Sequence, residues 1–318
     1  MATQHTSAVP TIRFDHLQTA GETRALDAAC REWGFFQLTH HGIDAAARAQ
    51  TLSALRRFFD QPPATKRLVE RSAANPWGFY DRELTKNTRD WKEIFDVGEA
   101  EHDGPLAGSE PQWPEGLDGF RNALEDHRNH CERIAARLLR AIADALGSPA
   151  DVLADAFRPT HTSFLRLNFY PVCSRPEAPE GIQAARDGHL GINHHTDAGA
   201  LTVLMQDDVN SLQVYRRGRW HPIEPQPGSL IINIGDVVQV WSNDRYPAPL
   251  HRVLANPTRE RVSAAYFYNP AASATYAPLP GLGTPRYHPI SWGAFRSARA
   301  AGDYADAGEE IQVAHFRR

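Results

Sequence analysis

The chain has 318 residues, 42% of them apolar and 23% charged, and a formal net charge of −4. These values describe a globular protein of one large or two ordinary domains. The acidic balance, with basic clusters no longer than pairs such as Arg216-Arg217 and Arg317-Arg318, argues against a nucleic-acid or anionic-membrane partner, and no apolar run is long enough for a membrane span.

In chain order, Met1 to Pro10 is polar with no apolar stretch, so no signal peptide is expected. A helix is predicted from about Thr23 to Trp33, stopped by Gly34. Phe35 to Leu38 reads as a short strand. Asp44 can cap a second helix that runs to about Phe59 and ends before Pro62-Pro63. The first part of the chain is thus expected to be mostly helical with one strand. His40 and His41 belong to a turn. Trp77, Phe79, Tyr80 and Trp91 form an aromatic group expected to pack in the core. Gly98 to Leu117, rich in Gly, Pro and acids, is a predicted loop. A long amphipathic helix follows, with Leu124, Cys131, Ile134, Leu138, Ile142 and Leu146 on one stripe and Gly147 at its C-terminal cap. Cys30, Cys131 and Cys173 show no CxxC spacing, hence no disulfide framework and no zinc knuckle. A reducing cytoplasm is the expected setting.

After about residue 161 the period changes to two. Short strands are predicted at Ser163–Tyr170, Leu201–Gln206, Leu212–Tyr215, Leu230–Ile234, Val237–Trp241, His251–Leu254 and Val262–Tyr268. The fold class read from this is mainly β with flanking helices: a double-stranded β-helix, or jelly roll, behind a helical N-terminal region. The expected division is 1–160, 161–275 for the jelly roll, and 276–318 as an extension packed on it. That extension carries a helix around Trp292 to Ala301. The glycine-bearing loop Cys173–Asn193 is the expected mobile lid. Asp207-Asp208 reads as a solvated turn.

The chemistry sits in the strand-like half. His195 and Asp197 are two apart, so in extended chain both side chains point to one side. With His251 from a neighbouring strand they make a two-histidine, one-carboxylate set, which suits non-haem Fe(II) oxygen chemistry. His194, just before His195, should point to the opposite face and be structural. Arg261 and Ser263 are again two apart, on a strand followed by the apolar run Ala264 to Phe267. A buried arginine needs an anionic partner, and a guanidinium holds a carboxylate with two parallel hydrogen bonds. Arg166, Asn168 and Tyr170 share one face of their strand and Leu165, Leu167 and Phe169 the other; periodicity alone leaves open which face is inward.

These residues carry a family resemblance. His195-Thr196-Asp197-Ala198-Gly199 with Leu201 to Asp207, Asn233-Ile234-Gly235-Asp236, Ser242-Asn243, Tyr246 and His251-Arg252-Val253 resemble the core of the isopenicillin N synthase-like, plant-type 2-oxoglutarate/Fe(II) oxygenases. Asn168 to Pro171 resembles the strand before the metal motif. Trp33 to Phe36, His41-Gly42-Ile43 and Asp90 to Glu93 resemble the helical N-terminal region. The resemblance implies Fe(II) on His195, Asp197 and His251, and 2-oxoglutarate gripped by Arg261 and Ser263 with Tyr170 assisting and Asn168 near its other end. It implies O2 as second cosubstrate, succinate and CO2 as coproducts, and hydroxylation, desaturation or cyclisation of a small molecule. Ser211, ahead of Leu212, and Asn243-Asp244 depart from the family's usual glycines, both at turns.

Three other readings compete. An isopenicillin N synthase-like oxidase would use the Arg-x-Ser for a substrate carboxylate and need no 2-oxoglutarate. A zinc hydrolase also accepts two histidines and a carboxylate, but the chain has no HExxH glutamate, and Arg261 would be unexplained. A non-catalytic binding protein on this fold would be expected to lose its metal ligands, whereas all three are present.

Overall fold

In the computed structural model, which describes residues 9–72, 74–99, 108–302 and 308–318, the period-two segments after residue 161 form two sheets. The strands are β7 (Phe164–Tyr170), β8 (Leu190–His195), β9 (Leu201–Gln206), β10 (Leu212–Arg216), β11 (Arg219–Pro222), β12 (Leu230–Ile234), β13 (His251–Leu254) and β14 (Arg261–Tyr268). The smaller sheet runs β11-β10-β13-β8. Four of the later strands enter a larger sheet together with strands from the first part of the chain. Those are β1 (Thr11–Arg13), β2 (Phe35–Thr39), β3 (Gly78–Tyr80) and β6 (Glu93–Gly98), and the order is β1-β2-β12-β9-β14-β7-β6-β3. A separate hairpin, β4 (Leu84–Thr85) with β5 (Thr88–Arg89), lies between β3 and β6 in sequence.

The N-terminal part is therefore less helical than its sequence predicts. Its strands β1 and β3 are only three residues long, too short for a period-two pattern to be recognised. In β6 the burial is almost continuous from Ile94 to Gly98, so no alternation marks it.

The helices are α1 (Ala20–Glu32), α2 (Ala45–Phe59), α3 (Pro63–Lys66), α4 (Phe120–Ala145), α5 (Asp236–Trp241) and α6 (Trp292–Ala301). Helix α1 begins three residues before Thr23, because the Thr19 side chain accepts the Glu22 amide and caps it there. Gly34 stops it at φ +63°, where an added Cβ would meet the Pro247 carbonyl at 2.7 Å. Asp44 caps α2 by accepting the Ala47 amide at 2.7 Å, as its position suggested. The apolar stripe of α4, including Leu124, Cys131, Ile134 and Leu138, is buried with α1 and α2 in one core that covers the outer face of the larger sheet. Each such leucine contributes about 1.5–3 kcal/mol by leaving water. A second apolar cluster joins Tyr170, Leu204 and Ile231 of the larger sheet to Leu212, Val214 and Val253 of the smaller one, and so fills one end of the space between the sheets.

Two predicted elements need correction. Val237 to Trp241 is helical, not a strand. Its β-branched residues favour strands, but Gly235 packs so closely on the Gly199 carbonyl that the chain must turn there. The amides of Asp236 and Val237 then bond to the carbonyls of Asp197 and Gly199, and Ser242 bonds back to Val238. Asp207 is not a solvated turn residue. It is buried, accepts the amides of Val209 and Val262, and pairs with Arg56 at 3.3 Å. Asp208 beside it is exposed, paired with Arg259.

The tail closes on the body through Trp292 and Phe295, both in the main core, and β15 (Thr275–Tyr276) pairs with β16 (Ile290–Ser291). Asn243 and Asp244 take the left-handed turn without glycine, at φ +53° and +69°, a conformation that Asn and Asp tolerate. Asn243 donates to the Leu282 and Thr284 carbonyls, and Asp244 pairs with Arg317. All three cysteines are buried and unpaired. Among the described residues no helix is long and apolar enough to cross a membrane. The predicted Gly98–Leu117 loop lies partly outside the described residues, as does most of the Met1–Pro10 segment.

Candidate active site

His195 ends β8, Asp197 follows it, and His251 opens β13, where it pairs directly with His195. The three side chains offer ligand atoms within 4.8 Å of one another, the one such cluster among the described residues. Asp197 Oδ1 lies 3.6 Å from His195 Nε2 and 3.5 Å from His251 Nε2. The remaining atoms of each group are already used. His195 Nδ1 donates to the Asn193 carbonyl at 2.8 Å and His251 Nδ1 to the Pro249 carbonyl at 3.0 Å. Because a carbonyl only accepts, each Nδ1 carries a proton, and Nε2 is the ring nitrogen that faces Asp197. Asp197 Oδ2 accepts from Asn233 Nδ2 at 2.7 Å and from the Thr202 hydroxyl. Burial alone would raise the Asp197 carboxyl, but His251, His195 and these two donors hold it below the usual carboxylate range. Burial and His251 push His195 below the usual imidazole range. Two imidazoles that present Nε2 and one carboxylate are thus gathered for a divalent cation.

The triad opens into a cavity of about 690 Å³ between the sheets, which also takes in Arg261, Ser263, Asn168 and Tyr170. Strands β14 and β7 pair with Arg261 opposite Tyr170 and Ser263 opposite Asn168. The open question about β7 resolves here. Arg166, Asn168 and Tyr170 line the cavity, while Leu165 and Leu167 are buried in the core behind it and Phe169 packs against that core. Arg261 is 1% exposed. Its Nη2 donates to Gln206 Oε1 at 2.8 Å, and its guanidinium sits 5.0 Å from the Tyr170 ring centre. Its Nε and Nη1 have no hydrogen-bond partner, and Ser263 Oγ accepts from Asn168 Nδ2 at 3.4 Å. A buried cation with two open donors is a site for an anion.

Comparison with known proteins agrees with this chemistry. The model of the 2OG-Fe(II) oxygenase superfamily matches residues 161–270, and that of the non-haem dioxygenase in morphine synthesis N-terminal region matches residues 9–116. Jasmonate-induced oxygenase 1 of Arabidopsis thaliana is 31% identical over 91% of this chain and 71% of its own length. Flavanone 3-dioxygenase 2 of Oryza sativa subsp. japonica is 32% identical over 86% and 77%. The chain belongs to the 2OG-Fe(II) oxygenase superfamily. Among solved structures, JOX2 in complex with 2OG, Fe and JA is similar at a TM-score of 0.81 and 28% identity, over 98% of this chain and 89% of that one. A full-length Neurospora crassa protein in complex with alpha-KG and thymine is similar at 0.79 and 25%, over 93% and 98%. This oxygenase is accordingly a 2-oxoglutarate-dependent non-haem Fe(II) dioxygenase, with Fe(II) as cofactor and 2-oxoglutarate and O2 as cosubstrates.

The oxygenase site also depends on residues that had no role assigned from the sequence. Thr202, Asn233 and Gln206 hold Asp197 and Arg261; their signal was a polar residue on an otherwise apolar strand. Arg299 of α6 donates to the Thr196 carbonyl at 2.9 Å and pairs with Glu310 at 3.2 Å. Nothing in the local sequence of the tail announces that placement. Trp77 lines the cavity, whereas Trp91 stacks on His189 with centroids 4.6 Å apart, and Phe79 is in the core. His194, as expected, is not among the cavity residues. The Cys173–Asn193 segment meets the cavity through Ile192 alone. Glu177 accepts three amides there and the Gly181 carbonyl accepts the Trp220 indole, so in this structure the segment does not cover the cavity. Leu84 and Thr85 of the β4–β5 hairpin, with α6, border the cavity instead.

Proposed function

We propose that this dioxygenase holds Fe(II) through Nε2 of His195, Nε2 of His251 and one carboxylate oxygen of Asp197, and that Arg261 and Ser263 grip the distal carboxylate of 2-oxoglutarate. Tyr170 assists by packing on the guanidinium, and Asn168 lies toward the cosubstrate's other end. The observation that carries this reading is the pair of open donors on a buried Arg261 in the same cavity as the triad. When bound, iron and 2-oxoglutarate supply the oxidising power that takes hydrogen from a substrate carbon. The protein's part is to hold both in register and to keep the site from bulk water. The two Nδ1 bonds aim each imidazole with its Nε2 toward Asp197, and Thr202 and Asn233 leave one Asp197 oxygen for the metal.

The substrate is a small molecule, and the outcome is hydroxylation, desaturation or cyclisation. Support comes from a relative named for a small molecule, flavanone 3-dioxygenase 2, and from a similar structure that holds thymine. The chain divides into 1–160, 161–275 and 276–318, a division supported by the separate matches at 9–116 and 161–270. A reducing cytoplasmic setting is supported by three buried, unpaired thiols. The test is substrate-stimulated conversion of 2-oxoglutarate to succinate under Fe(II) and O2. O2 uptake that runs equally well without 2-oxoglutarate would replace this reading with the cosubstrate-free oxidase. Asp197→Ala should remove metal binding and turnover while the fold persists.

A further inference from the structure

Strand registers place one transverse row of residues across the cavity face of the larger sheet. Asn233 pairs with Thr202, Thr202 with Phe267, Phe267 with Phe164, and Phe164 with Gly98. One end of the row is the pair of donors that hold Asp197. At the other end Trp77 occupies the space a side chain at Gly98 would take. Between them lie two rings, Phe164 and Phe267, with centroids 4.9 Å apart and planes at 31°. Trp77 backs Phe164 at 5.9 Å. Thr202, Asn233 and Trp77 are buried, whereas Phe164 and Phe267 keep part of their surface open to the cavity. Uncovered aromatic surface inside a cavity gains by meeting an apolar partner.

The neighbouring row points the same way by elimination. There Ala265 pairs with Arg166 and Arg166 with Asp96. Arg166 and Arg71 each bridge Glu83 and Asp96, at 2.8–3.1 Å. Lys92 pairs with Glu83 at 2.6 Å and Asp90 at 2.9 Å. Three cations and three carboxylates compensate one another, so this row fixes the wall through its own ion pairs.

We infer that the substrate carries a planar aromatic ring that lies face-on against Phe164 and Phe267, on the row that leads to the Asp197 carboxylate. This rests on the proposed metal and 2-oxoglutarate sites, since the shelf matters for turnover only if the reacting centre is at Asp197.

The experiment measures equilibrium binding to the full chain loaded with Mn(II) and 2-oxoglutarate, which holds the site without turnover. The probes are 3-phenylpropionate and 3-cyclohexylpropionate, matched in charge and chain length. The expected result is a preference of up to about tenfold for the aromatic probe. Phe164→Leu and Phe267→Leu, which keep an apolar side chain of similar bulk, should erase the preference while leaving 2-oxoglutarate affinity unchanged. Phe164→Tyr should keep it. Equal binding of the two probes, binding of neither, or a preference that survives both leucine variants overturns the inference. Failure of the unmodified protein to bind Mn(II) and 2-oxoglutarate would instead overturn the underlying site assignment.

Discussion

Asp90 reaches His195 through a single residue. Asp90 Oδ1 accepts the Asn193 amide at 3.1 Å, and the Asn193 carbonyl accepts His195 Nδ1–H at 2.8 Å. The other Asp90 oxygen accepts from Thr85 at 2.7 Å and pairs with Lys92 at 2.9 Å. A carboxylate of the N-terminal part thus sets the backbone that orients the imidazole of a proposed metal ligand. Groups that orient a ligand in this way typically carry about 10- to 100-fold in metal affinity. With one more bond in the relay, Asp90→Ala is expected at the lower end, roughly tenfold weaker Mn(II) binding. Calorimetric titration of the metal-free protein measures it. Unchanged affinity in a folded variant would break the relay.

Asn233 and Thr202 act on the same centre from the opposite side. Both donate to Asp197 Oδ2, which occupies that oxygen and holds the carboxylate in one orientation. Asn233→Ala leaves the buried Asp197 with one donor fewer, and its carboxyl rises toward the range that burial favours. The expected loss is about 10- to 100-fold in Mn(II) affinity, with a smaller loss for the near-isosteric Thr202→Val. If neither variant changes metal affinity, the orientation of Asp197 is fixed by its backbone alone.

How far the sequence reached follows from what each residue needs. His195-x-Asp197 and Arg261-x-Ser263 could each be read as a pair on one side because residues two apart in extended chain share a face by local geometry alone, and the structure brings His251 to the first pair. The helix at Val237 to Trp241 was not, since its conformation depends on the close contact of Gly235 with Gly199, thirty-odd residues earlier in the chain. Strands β3 and β6 were hidden by shortness and by continuous burial. The placement of α6 beside the cavity, and hence the Arg299 bond to Thr196, is a tertiary fact with no local pattern behind it. The fold class could be read because alternation repeats over many strands, whereas the cavity wall is built from single contacts between distant segments.

His127 gives the fold a pH dependence away from the site. It is buried on α4, its Nε2 lies 3.4 Å from Cys131 Sγ, and its Nδ1 has no hydrogen-bond partner. Burial pushes it down to about 4 from an ordinary value of 6.5. Between these values the unfolded chain binds a proton that the folded chain does not, so stability falls as pH drops from 6.5 toward 4. The full effect is on the order of 3 kcal/mol. His127→Leu should flatten that part of the curve of thermal midpoint against pH. A variant curve parallel to that of the unmodified protein would assign the slope to other groups.

Arg261 offers the most direct test of cosubstrate binding. Its fork is shared between Gln206, through Nη2, and an anion that can take the open Nε and Nη1. Lysine keeps the charge but supplies a point donor on a flexible stem, and so cannot make two parallel bonds to a carboxylate. Arg261→Lys is therefore expected to raise KM for 2-oxoglutarate by about 10- to 100-fold, the loss of about 1.5–3 kcal/mol that accompanies one charge-assisted hydrogen bond. The same binding should appear without turnover. 2-Oxoglutarate at about 100 times its Kd stabilises the folded state by about 2.7 kcal/mol, so the Mn(II)-loaded protein should melt several degrees higher with it than without. In Arg261→Lys at the same concentration that stabilisation should fall to about 0.4–1.4 kcal/mol, with a correspondingly smaller shift, while the Mn(II) affinity stays as it was, because Arg261 is bonded to Gln206 and packed on Tyr170 rather than on His195, Asp197 or His251. A full thermal shift in the lysine variant would mean that 2-oxoglutarate is held elsewhere in the cavity, and that the open donors of Arg261 serve a substrate carboxylate.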